Sequence, residues 1–232
     1  MPSFFIINMR KLLTLLLLST TFAPALADPA VRGWKTADSM GCMMMRDCTD
    51  EVTTITSTAD LESRFPNSNY DSVREETDAL ISELNQMGVG VYLGGDKYFR
   101  RGHAGVYYTV GNDFFLNESY ADDPAQMIRT LRHEAWHAAQ DAMAGTINNN
   151  NIAIINAEED VPRRYVVATD VAYAGQPQVI PWEREAKWAG GTPGMTLEVL
   201  RIINRTNNRP WEEIEPTPMT REWLVNKGYI TD

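Results

Sequence analysis

Asp123-Pro124-Ala125-Gln126-Met127-Ile128-Arg129-Thr130-Leu131-Arg132-His133-Glu134-Ala135-Trp136-His137-Ala138-Ala139-Gln140-Asp141-Ala142-Met143 is the stretch that decides how this chain is read. Asp123 is a good N-cap, Pro124 suits the first helical position, and Gln126 falls where a capping box would close. Ile128, Leu131, Ala135 and Ala138 recur at helical spacing, and Met143-Ala144-Gly145 offers a stop, so the pattern predicts a helix over 124–143. Inside it, His133 and His137 stand four residues apart, one turn above each other and off the apolar stripe. Two imidazoles so placed can grip one zinc ion, and Glu134 beside them can take a proton from water. Two of the three histidines in the chain lie in this H-E-x-x-H run.

A catalytic zinc site takes three protein ligands and keeps one open position. No histidine follows His137, so the longer motif with a glycine and a distal histidine is absent, and a downstream carboxylate is the remaining choice. The best segment is Pro181-Trp182-Glu183-Arg184-Glu185-Ala186-Lys187-Trp188-Ala189-Gly190-Gly191, which starts as helices start and ends at two glycines. Glu183, Ala186 and Gly190 share one face of that helix. The face is almost bare of side chains, so it can approach another helix closely and deliver Glu183. Glu185 is the chief competitor, with Glu158, Glu159 and Asp170 behind it.

Upstream of the helix, residues 89–93, 104–110 and 113–117 read as strands, with turn signals at Gly94-Gly95-Asp96 and Gly111-Asn112. A small sheet leading into the helix gives a wall along which an extended peptide could lie by strand addition, or it covers the helix and nothing more.

The two motifs, His133 to His137 and Glu183-Arg184-Glu185-Ala186, resemble the gluzincins, zinc metallopeptidases whose third ligand is a downstream glutamate in an E-x-x-A or E-x-E-A helix. The resemblance covers those motifs and singles out no family for the whole chain. It implies an α+β, zincin-like single domain: a small β-sheet, then the H-E-x-x-H helix, then a mainly helical C-terminal half. It also implies His133, His137 and Glu183 as ligands of Zn2+ and Glu134 as general base, in a peptidase that hydrolyses peptide bonds with zinc-activated water. The donor for the developing oxyanion is open among Tyr165, Tyr173 and His103. Asp141, one turn beyond His137, could orient a ligand imidazole.

At the N-terminus, Met9-Arg10-Lys11 is basic, residues 12–18 are apolar, and Ala25-Leu26-Ala27 is a small-x-small cleavage site. This predicts a signal peptide over 1–27, a mature chain from Asp28, and a secreted or periplasmic protein without stable membrane insertion. The formal net charge is −10, and loss of Arg10 and Lys11 with the leader makes the mature chain two charges more acidic. Such a chain, with no basic stripe, is a poor nucleic-acid binder; a peptide or protein substrate is the expected partner. In an exported protein Cys42 and Cys48 are expected to form a disulfide.

The remaining organisation follows from pattern. Residues 28–56 read as an irregular arm and 57–232 as the domain. Helices are predicted over 71–87 (Val73, Leu80, Ile81 and Leu84 inward), 161–173, 196–204 and 220–226. Residues 146–151 read as a polar loop and 209–218 as a linker. A contrasting reading is a non-catalytic module that keeps the fold and binds zinc or an envelope partner, although such a module has no need of Glu134 beside its metal.

Overall fold

A computed structural model describes residues 40–46 and 52–231. The leader, its cleavage site and Cys48 lie outside the described residues, and with them the expected Cys42–Cys48 pairing. The chain is of the α+β class. Nine helices in the described residues run as α1 (Met40–Met44), α2 (Thr58–Arg64), α3 (Arg74–Gln86), α4 (Glu118–Ala121), α5 (Pro124–Met143), α6 (Arg163–Ala172), α7 (Ile180–Gly190), α8 (Met195–Arg205) and α9 (Pro218–Asn226). Four strands, β1 (Val52–Thr54), β2 (Gly90–Gly94), β3 (Gly105–Tyr108) and β4 (Asp113–Asn117), form one sheet in the order β1-β2-β4-β3. β2 and β4 are parallel, with Val91 opposite Phe114 and Leu93 opposite Leu116; the two outer pairs are antiparallel. Among the described residues, no helix is long and apolar enough to cross a membrane.

Side-chain alternation on the sheet explains its two cores. Val91, Leu93, Tyr107, Phe114 and Leu116 join the large core with Leu80, Ile81 and Leu84 of α3, Leu131 and Trp136 of α5, and Leu200 and Ile203 of α8. Tyr92, Val106 and Phe115 point the other way and pack with Cys42, Met43 and Met44 of α1. β4 is therefore buried at every position, with the apolar run Phe114-Phe115-Leu116 at its centre and the polar Asp113 and Asn117 at its ends. Gly94 makes room for α1, since a Cβ on it would sit 2.6 Å from the Met43 sulfur.

The 28–56 arm is less irregular than its sequence suggests. Its described residues hold α1, and they hold β1, which pairs with β2 and so belongs to the sheet. A three-residue strand offers no readable period. The 209–218 linker likewise contains a turn of 3₁₀ helix over Pro210–Glu212, with Trp211 against the large core.

The α5 helix runs through the middle of the molecule and begins as its sequence dictates. The Asp123 carboxylate accepts hydrogen bonds from the Ala125 and Gln126 amides at 2.9 and 3.1 Å. The capping box does not form, because the Gln126 side chain turns forward to Thr130 and Arg129. Arg132 is buried and held in a bidentate pair with Glu76 of α3 at 2.8 and 2.5 Å, and Glu76 also accepts from the Gly194 amide at the start of α8. That carboxylate fixes the rotation of α5 one residue before His133.

Candidate metal centre

α5 and α7 make the largest helix contact, and small residues let them do so. Ala186, Ala189 and Gly190 are buried in it. A Cβ on Gly190 would lie 3.0 Å from the Arg129 carbonyl and 3.2 Å from His133 Cβ. This close approach carries Glu183 to the two histidines. Its carboxylate lies 3.3 Å from His133 Nε2 and 3.6 Å from His137 Nε2, and the three ligand atoms are all within 4.8 Å of one another. The two rings meet edge to face, centroids 5.0 Å apart.

These separations suit a shared ion. Ligand atoms about 2.0–2.1 Å from one tetrahedral ion stand about 3.3 Å from each other. One carboxylate oxygen, Glu183 Oε2, is buried without a hydrogen-bond partner even though His133 Nε2 is 3.3 Å away. The atoms stand at the edge of hydrogen-bond distance, where an ion shared between them would satisfy both. Two imidazoles and one carboxylate are a donor set that zinc accepts.

Protons stand in for part of that charge. Burial drives the His133 imidazole down, but Glu183 and Glu134 outweigh it and raise it to about 9. Burial drives Glu183 up, and the two imidazoles bring it down to about 2. Glu134 is buried and pushed up by that burial, against the pull of both histidines. β3 lies directly over it, since a Cβ on Gly105 would come within 2.9 Å of Glu134 Cγ. Ala104-Gly105, read as an ordinary strand start, thus marks the point where strand and helix touch.

The other carboxylates are accounted for. Glu185 is turned into the interior, 1% exposed, where Ile155 N, Asn156 N, Gln140 Nε2 and Trp136 Nε1 all donate to it. Burial pushes it up to about 7 against those four donors. Glu158 and Asp170 pair with Arg184, and Glu159 is exposed. Asp141 does not face His137. It is buried, accepts from the Tyr107 hydroxyl at 3.0 Å, and is pushed up to about 9 by burial. The partner of His137 is Gln140, whose Oε1 lies 2.8 Å from Nδ1. Sequence reasoning missed it because a glutamine at i+3 on a helix carries no metal signature.

Of the three oxyanion candidates, Tyr173 at the end of α6 stands beside Glu183. Its hydroxyl is held up by burial first and then by that carboxylate. Tyr165 leans on the end of α7, 2.4 Å from where a Cβ on Gly191 would sit, and accepts from Arg164. His103 is held below its usual value by partial burial and by Arg100, against the opposing pull of Glu183.

Compared with protein-family models, with curated proteins and with solved structures, the chain matches none.

Proposed function

We propose that the chain is an exported zinc-dependent peptidase of the gluzincin kind. The observation that carries this reading is the meeting of His133, His137 and Glu183 within 4.8 Å, with Glu134 on the same helix between the two histidines. A purely structural metal site needs no base beside it.

Bound zinc would polarise the scissile carbonyl and make water a nucleophile near neutral pH. Glu134 takes the proton of the attacking water and hands it to the leaving amine; its upward shift by burial suits a group that must hold a proton and release it. The Tyr173 hydroxyl, next to Glu183, donates to the oxyanion as charge develops there. β3 supplies the wall. It pairs with β4 on one side and, among the described residues, has no strand on the other; the Tyr107 backbone on that edge reaches Glu134, so an extended peptide added there as a strand would lie against the base.

The test uses the mature chain from Asp28, loaded with stoichiometric zinc and buffer-exchanged, then given a mixed peptide pool. About one zinc per chain and chelator-sensitive cleavage are expected. Glu134→Gln keeps the zinc and lowers turnover by about 10²–10⁴-fold. A wild-type chain that retains no zinc would overturn the reading. Retained zinc without cleavage would favour the non-catalytic module instead.

A further inference from the structure

We infer that Glu185 and Gln140 are positioning residues for the metal centre: Glu185 sets which way the Gln140 amide faces, and Gln140 sets which nitrogen of His137 carries the proton. The inference rests on the zinc reading above.

Hydrogen-bond direction makes the argument. Gln140 Nε2 lies 2.6 Å from Glu185 Oε2 and 3.2 Å from the Trp182 carbonyl, two groups that only accept. The amide nitrogen belongs on that side, so the amide oxygen is the atom 2.8 Å from His137 Nδ1. An amide oxygen only accepts, so Nδ1 is the protonated nitrogen. The lone pair of His137 is thereby left on Nε2, the atom 3.6 Å from Glu183. A free imidazole favours the opposite tautomer, with Nε2 protonated, and that form could not bind metal from this position.

Glu185 holds the arrangement in place. Its two oxygens receive the Ile155 amide at 2.9 Å, the Asn156 amide, the Gln140 amide and the Trp136 indole at 3.4 Å. Every partner is a donor, so both oxygens accept, and at alkaline pH the group is a carboxylate that can only accept from Gln140. Its charge strengthens that bond and, through the amide, the basicity of the His137 ring. The two glutamates of Glu183-Arg184-Glu185 thus serve one ion from opposite sides of α7: the first contacts the metal site and the second governs a ligand two bonds removed.

Two substitutions test this without touching any atom bound to His137 Nε2. In Glu185→Gln, the new amide keeps its oxygen toward the Ile155 and Asn156 amides and turns its NH2 to Gln140. Gln140 is then drawn two ways, toward the new NH2 with its oxygen and toward the Trp182 carbonyl with its own NH2, so part of the population flips, presents NH2 to His137 Nδ1 and moves the ring proton to Nε2. Gln140→Met keeps the bulk of the side chain and removes the preference altogether. Long-range ¹H–¹⁵N spectra of the metal-free chain at alkaline pH read the tautomer directly. The wild type is expected to show Nδ1–H at His137, Glu185→Gln a mixture with Nε2–H and Gln140→Met Nε2–H, with zinc bound up to about 10–100-fold more weakly. If Glu185→Gln does not fold, Gln140→Met decides alone. A wild-type His137 protonated on Nε2, or variants with the wild-type tautomer and affinity, would overturn the inference. A wild type that takes up no zinc would sink the peptidase reading, while the tautomer spectra would still settle this one.

Discussion

α7 and α6 both reach the Glu183 carboxylate, and they are built in opposite ways. α7 buries Trp182, Glu185, Ala186, Ala189 and Gly190 and lies on α5 closely enough to leave no room for a Cβ. α6 buries Thr169 alone and shows Val167 and Val171 to the surface, 53% and 75% exposed. Metal ligands have to be held to fractions of an ångström, and on the proposed function α7 would supply that by packing. A group that meets a substrate has to admit it and let it go, and a helix with little buried surface opens at low cost. On the proposed function, the difference between the two helices would follow the difference between holding an ion and handling a peptide.

The largest effect that would sharpen this contrast is on turnover. Tyr173→Phe removes the hydroxyl from the loosely covered side and should cost about 10²–10³-fold in kcat, with zinc content and thermal midpoint unchanged. A loss of zinc instead would move Tyr173 from handling substrate to holding Glu183. Gly190→Val acts on the other side. It forces α7 off α5 and should cost about 1–3 kcal/mol in urea unfolding together with weaker zinc binding; a variant that unfolds like the wild type would show that the contact can give way.

Asp141 tests a buried part of α5 that faces Tyr107 and not the candidate metal centre. Its folded carboxyl is raised to about 9, far above its unfolded value, so the native state holds a proton that the unfolded state releases. The associated stability is complete below pH 4 and is lost as pH rises toward 9, by up to about 1.4 kcal/mol per pH unit. Asp141→Asn should flatten that slope and leave the variant more stable than the wild type at pH 8. Parallel pH profiles would mean that the carboxyl is ionised in the fold. The smallest effect belongs to α6. Val171→Ser should change stability by less than about 0.5 kcal/mol, and a larger loss would show that the exposed face is covered.

Much of the site was legible because it is local. The cap at Asp123, the helix to Met143 and the spacing of His133 and His137 are short-range properties, and the bare face of Glu183, Ala186 and Gly190 gave away the close helix contact. The predicted strand 113–117 also stands as read. What escaped depends on partners far along the chain. β1 is a strand because β2 lies beside it, and nothing in Val52-Thr53-Thr54 says so. Asp141 and Gln140 are adjacent, and which of them serves His137 is settled by Tyr107 on one side and Glu185 on the other. Charged and amide side chains show their type in a sequence and their direction only in a fold.

One consequence of the His133–Glu183 approach concerns how the ion gets in. With the imidazole raised to about 9, the metal-free centre near neutral pH already contains a cation, a proton on the ring, facing its carboxylate. Loading is then an exchange of one positive species for another, not the filling of a void. On the proposed function, acid would be liberated as zinc arrives, the apparent affinity would fall about tenfold for each pH unit below 9, and an acidifying compartment would run the exchange backwards.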